Sequence, residues 1–167
     1  MRRSHSPLLG FSLVEVLVAM MVTMIFVAIM LQMFVSAAFF RSKGVQYNQA
    51  FNWIQEDYEL VFKRASGYEA DAEPASTFCA ATTPANGLAA NFLNDTTLGL
   101  GGTTVDLGPK AFGGQSFQLT RTGNYASSAN PYKLLKLTYT VTPTSGGEAI
   151  ANINTEVVIY AGFKCPS

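Results

Sequence analysis

Hydrophobic and polar positions fall along this chain in three patterns. From Val16 to Phe40 there is no charged residue and no proline, an unbroken run of 25 residues. A helix needs about 20 such residues to cross a bilayer core of about 30 Å. From Arg41 the pattern turns amphipathic. Tyr47, Phe51, Ile54, Tyr58, Val61 or Phe62, and Ala65 recur in steps of three and four, which marks one helical face. Ser66-Gly67 reads as the stop. The spacing therefore predicts one helix from Phe11 to Ala65, about 80 Å long at 1.5 Å per residue. Its first half faces lipid or other subunits, and its second half needs a sheet to cover the stripe. Trp53 is expected to pack in that second region. Glu59 and Lys63 form a favourable i, i+4 pair on the exposed side. Gly44 marks a kink candidate, at about 1 kcal/mol relative to Ala.

After Gly67 the helical period disappears. Tyr68 to Asn91 reads as a loop, and Asn94 to Gly114, dense in glycine and threonine, predicts short strands and turns. Period-two alternation follows. Phe117 and Leu119 alternate with Gln118 and Thr120, and Leu135, Leu137, Tyr139 and Val141 alternate with Lys136, Thr138 and Thr140, a half-buried strand. Pro143 to Gly147 marks a turn. Thr155 to Ala161 supplies a third strand, with Val157 and Ile159 on one face. These segments predict an antiparallel meander whose apolar face covers the helix stripe. The fold class is α+β, divided into residues 1–10, a membrane segment 11–40, an amphipathic extension 41–66 and a β-rich head 67–167.

Composition adds limits. The 167 residues are 49% hydrophobic and 13% charged, with 11 basic and 11 acidic side chains. From Ser66 onward there are 5 basic and 7 acidic residues, with no basic tract or stripe, so charge gives no case for nucleic acid binding. The two cysteines, Cys79 and Cys165, are an even count. In an exported domain that points to one disulfide closing a loop of more than 80 residues, with two unpaired buried thiols as the alternative. Such a bridge would stabilise the head by roughly 4–5 kcal/mol in the chain-entropy model.

The N-terminus carries the chemistry. Met1 to Gly10 holds two arginines, one histidine and a proline ahead of the apolar run. That run is far longer than the 7–15 residues of a signal-peptide core, although Ser36-Ala37-Ala38 offers a small-residue cleavage site. Arg41 and Lys43 follow the run as Arg2 and Arg3 precede it, so charge does not orient the helix. Glu15 is the one charge near the start of the run, and a carboxylate there needs a partner or a job. The segment from Gly10 to Met20, Gly-Phe-Ser-Leu-Val-Glu-Val-Leu-Val-Ala-Met, resembles the N-terminal signature of type IV prepilins and type II secretion pseudopilins. The segment Phe39 to Leu60, with its Trp-Ile-Gln-Glu-Asp run, resembles cyanobacterial pseudopilins linked to polysaccharide secretion and gliding in hormogonia.

The resemblance implies a pilin-like fold and a sequence of events. A prepilin peptidase cuts between Gly10 and Phe11 on the cytoplasmic face and N-methylates Phe11. Glu15 then pairs with the N-terminal amine of a neighbouring subunit in a filament. The implied partners are the peptidase, other pilin or pseudopilin subunits, an inner-membrane assembly platform and membrane lipid, with no nucleic acid. The implied location is the bacterial inner membrane, head periplasmic, and then the pilus or pseudopilus. Many major pilins carry a proline late in the membrane segment; none occurs here between Pro7 and Pro74.

Catalysis is not expected. The single histidine, His5, lies in the presumed leader, which removes His-based triads and His metal sites, and two cysteines are too few for structural zinc. No cofactor is expected. Gly99-Leu100-Gly101-Gly102 lacks the lysine and the βαβ setting of a phosphate loop. Glu69, Asp71 and Glu73 alternate as calcium ligands would, but without EF-hand spacing, and read first as solvated loop acids. The expected function is a minor pilin or pseudopilin. The alternatives are a monomeric membrane-anchored binding domain and a DNA-uptake pilin.

Overall fold

The computed structural model describes residues 12–68, 79–125 and 132–164. Helix α1 spans Leu13–Gly67. It begins at a Ser-x-x-Glu box: the Ser12 hydroxyl accepts the backbone N–H of Glu15 at 3.2 Å, which satisfies one of the unpaired donors of the first turn. The chain divides into two compact units, one ending at Lys43 and the other beginning at Gly44.

In the first unit every described side chain from Ser12 to Lys43 is exposed. The helix is long and apolar enough to cross a membrane, with a mean hydropathy of 2.6 over its best 18 residues. Thr23 fits that setting, because its hydroxyl donates to the Ala19 carbonyl at 2.8 Å and leaves no unmet donor on the surface.

In the second unit the rest of α1 packs on a four-stranded antiparallel sheet, giving the α+β, pilin-like architecture that the sequence predicts. The strands are β1 (Thr104–Phe112), β2 (Gln115–Tyr125), β3 (Leu134–Pro143) and β4 (Ala151–Val158), in the order β1-β2-β3-β4. Each pairs with the next, as in a meander. Gly113 and Gly114, at φ 59° and 80°, close the β1–β2 hairpin with the positive dihedrals that a two-residue turn requires. The turn expected after β3 is present, with Gly146 at φ 87°. One face of the sheet buries Phe117, Leu119, Leu135, Leu137, Tyr139, Val141 and Val157, in one cluster with Ala50, Trp53, Ile54, Val61 and Ala65 of α1. Trp53 is buried there, edge-on to Phe112 at 6.3 Å.

Several expectations need correction. The buried stripe of α1 is Ala50, Trp53, Ile54, Asp57, Val61 and Ala65, turned one position from the predicted one. Tyr47 is 51% exposed and Phe51 46%. Small Ala50 and Ala65 let the helix approach the sheet, and an acidic residue takes the central place because the sheet supplies its counter-charge. Glu59 and Lys63 are both exposed, but among the described residues the ion pair in this region joins Glu56 to Lys110 at 3.1 Å. The glycine- and threonine-rich stretch contains a full nine-residue strand, β1, interrupted by an irregularity between Asp106 and Pro109. The last strand begins at Ala151 and ends at Val158. Ile159 is fully buried outside it, and a 3-10 turn, Tyr160–Lys164, follows.

The predicted loop before Asn91 also holds structure: a 3-10 turn at Pro84–Asn86 and helix α2 at Leu88–Asn94. Leu88, Phe92 and Leu93 of α2 join the core. The glycine-rich stretch wraps the end of this helix. The backbone N–H groups of Leu100, Gly101 and Gly102 donate to the carbonyls of Phe92, Asp95 and Leu93 at 2.9, 3.0 and 2.8 Å, which satisfies carbonyls that the helix leaves unpaired. Gly99 makes the wrap possible, since a Cβ there would lie 2.0 Å from the Phe92 carbonyl oxygen.

Gly99→Ala is therefore expected to destabilise the head by about 2–4 kcal/mol, because the clash is with backbone that cannot step aside. At Gly44 nothing lies within 4 Å of an added Cβ, so Gly44→Ala should be neutral or stabilising by up to about 1 kcal/mol. Urea unfolding of both variants in detergent tests the contrast.

Candidate functional site

Two features stand out: the uncovered apolar half of α1 with its carboxylate, and a buried charge cluster where the other half meets the sheet. Glu15 lies in the first turn of α1, where a negative charge is favoured by the helix dipole. Its own N–H is held by Ser12. Among the described residues no hydrogen bond or ion pair reaches its carboxylate. It is the only charge before Arg41 on a surface that is otherwise apolar on every side: Val16, Leu17, Met20, Met24, Phe26, Leu31 and Phe34 are all more than 40% exposed. An apolar surface of this extent is an interaction surface.

At the far end of this unit Phe39 and Phe40 meet edge to face at 6.1 Å. The Lys43 ammonium lies 4.9 Å above the Phe39 ring, within the range of a cation–π contact.

The second feature is in the head. Arg121, on the core face of β2 and only 5% exposed, sends Nη1 to both carboxylate oxygens of Asp57, at 3.0 and 2.8 Å. Its Nη2 reaches the Leu100 carbonyl at 3.4 Å. Tyr139, directly opposite Arg121 in the β2–β3 ladder, donates its hydroxyl to the same Asp57 at 2.8 Å. Helix, β2 and β3 are thus joined at one carboxylate. Burial first, then the hydrogen bond to Asp57 and its charge, push the Tyr139 phenol well above its ordinary range, with Arg121 opposing.

A cleft of about 260 Å³ lies beside the pair, lined by Leu60, Arg64, Leu100, Val105 and Leu107 as well as Asp57 and Arg121. Among the described residues no buried side-chain nitrogen or oxygen lacks a partner, so the cleft makes no polar demand for a ligand. The chemistry of the cluster is that of a clamp. Sequence reading missed it because Asp57 and Arg121 are 64 positions apart. The one signal was Arg121 itself, standing where the alternation of Phe117 and Leu119 calls for an apolar residue.

A smaller cluster closes the end of α1. The Asp95 carboxylate accepts the N–H groups of Thr97 and Leu98 at 2.8 and 3.0 Å and the Tyr68 hydroxyl at 3.1 Å. The bonds from Leu98 and Thr97 hold Asp95 below the usual carboxylate range. Burial, followed by Asp95, raises Tyr68.

Cys79 is disulfide-bonded, while Cys165 lies outside the described residues. So do Gly10 and Phe11 of the expected processing site and the acidic trio Glu69, Asp71 and Glu73. Among the described residues no group of three or more His, Cys, Asp or Glu side chains is placed to hold a metal ion. No protein-family model, curated protein or solved structure matches the chain.

Asp57→Ala should cost about 3–5 kcal/mol by leaving the Arg121 guanidinium buried and unpaired, and Asp57→Leu with Arg121→Met should recover most of that loss. Chemical denaturation of the three chains tests the clamp.

A second outcome concerns pH. A phenol whose folded pKa is raised contributes stability that is complete below its ordinary value of about 10 and is lost as pH rises above it. Unfolding free energy should therefore fall above about pH 10, and Tyr139→Phe should flatten that fall. Identical pH profiles for the two chains would remove Tyr139 from the account.

Proposed function

We propose that this chain is a minor pilin or pseudopilin: a structural subunit held by α1 in the bacterial inner membrane with its head in the periplasm, then assembled into a type IV pilus or a secretion pseudopilus. The observation that carries this reading is the uncovered helix surface from Ser12 to Phe40 with a single unpartnered carboxylate, Glu15, one turn from its start. A bare membrane anchor needs the apolar surface but has no use for the charge. A filament uses both. Lateral packing of the helices buries the apolar surface. The amine of a processed Phe11 on the adjacent subunit supplies the cation that offsets the cost of removing Glu15 from water.

On this reading prepilin peptidase acts on the Gly10–Phe11 bond and methylates the new amine, and an assembly platform driven by a separate ATPase adds subunits. The head, locked by the Asp57–Arg121 clamp, sets the partners. The function is structural and not catalytic.

N-terminal mass mapping of the protein from native membranes tests the first step: the chain should lack residues 1–10 and start at a methylated Phe11. An intact Gly10–Phe11 bond would leave only a membrane-anchored head. Glu15→Ala should insert normally yet be depleted at least about tenfold from sheared filaments, the loss of one charge-assisted pair in a dry setting. Normal incorporation would exclude the pairing role.

A further inference from the structure

The apolar run is longer than a bilayer requires, and the surplus has a consequence for Glu15. Val16 to Phe40 extends about 37 Å at 1.5 Å per residue, whereas the hydrocarbon core is about 30 Å thick. Which end protrudes depends on which end is fixed. At the C-terminal end of the run stand two aromatic rings in contact, Phe39 and Phe40, followed by the first cations of the described helix, Arg41 and Lys43. Rings beside cations are the composition of an interfacial belt.

The Lys43 side chain leans back along the helix, as helical side chains do, until its ammonium lies over the Phe39 ring at 4.9 Å. Ring and ammonium therefore share one depth. That depth is the headgroup layer, because an ammonium is not stable in hydrocarbon.

With Phe39 at the boundary, about 20 residues counted back from Ala38 fill the core and end at Ala19. Glu15 then lies about 6 Å beyond the hydrocarbon. At a usual tilt of about 20° the core takes about 21 residues and Glu15 is still about 4 Å outside.

Resting on the membrane-spanning reading above, we propose that Phe39, Phe40, Arg41 and Lys43 seat on the lipid phosphates of one leaflet and set the depth of α1. The Glu15 carboxylate then waits, hydrated, in the headgroup layer of the opposite leaflet. In the single subunit its charge is solvated. It is stripped of water only when assembly moves the helix, so the charge penalises premature entry of α1 into the core and favours entry alongside a cation.

The test is thiol accessibility in the full chain, with Glu15 kept. Single cysteines are placed at Val14 and at Ala28, in vesicles of phosphatidylethanolamine and phosphatidylglycerol opened to admit a charged maleimide on both sides. The signal of the parent chain is subtracted. Val14→Cys should label at least about tenfold faster than Ala28→Cys. Adding Arg41→Leu and Lys43→Leu to Val14→Cys frees the helix to slide and should slow labelling toward the Ala28 rate. A Val14→Cys chain as protected as Ala28→Cys would place Glu15 in hydrocarbon and overturn the inference while leaving the membrane reading intact. Rapid labelling at both positions would overturn both. Unchanged labelling after the Arg41 and Lys43 replacements would refute the anchor.

Discussion

The head depends on a charge that sits where a hydrophobic residue would be cheaper. Arg121 occupies an inward position of β2, between Leu119 and Gly123, and is almost fully removed from water. Burying a guanidinium costs several kcal/mol unless its donors are matched. Asp57 matches it from the helix, and Tyr139 braces Asp57 from the neighbouring strand. The three groups come from three elements, so none is satisfied until helix and sheet have docked. The pair therefore adds less to net stability than to the choice of arrangement, since a docked state without it strands a charge.

That choice explains the rotation of α1. The helix carries apolar side chains on more than one face: Tyr47, Phe51 and Phe62 on one, Ala50, Ile54 and Val61 on another. By hydrophobicity alone the aromatic face is the better candidate for the core. Only one rotation brings Asp57 to Arg121, and that rotation turns Phe51 and Phe62 outward. Ala50 and Ala65 on the chosen face are small enough for the backbone to come close to β2 and β3. The ion pair decides between two faces that burial barely separates.

The same helix obeys two sets of rules along its length. Up to Lys43 it has no inner and outer side, and its polar residues are few and self-satisfied, as Thr23 is. From Ala50 it has one side for the sheet and one for water. Glu15 and Asp57 illustrate the difference. Both are carboxylates on an apolar helix, but Asp57 finds its cation inside the chain, and Glu15 finds none among the described residues. The proposed function follows from that contrast, because an unmatched charge on an apolar surface is matched by something outside the chain or by water.

The sequence by itself determined the features that depend on neighbours along the chain. The long apolar run, the end of α1 at Gly67, the alternation of β3 and the turn after Pro143 all rest on local periodicity and turn chemistry, and a meander follows once consecutive strands are joined by short links. Helix α2 was not legible, because Leu88-Ala-Ala-Asn-Phe-Leu-Asn94 is too short for a helical period to show. Strand β1 was hidden by its glycine, its proline and the irregularity between them. Only the tertiary structure decided which face of α1 is buried, that Asp57 and Arg121 meet, and that Gly99 serves a close backbone approach. Each of these depends on groups far apart in sequence whose pairing energy exists only after water has been excluded, and periodicity along the chain carries no record of that.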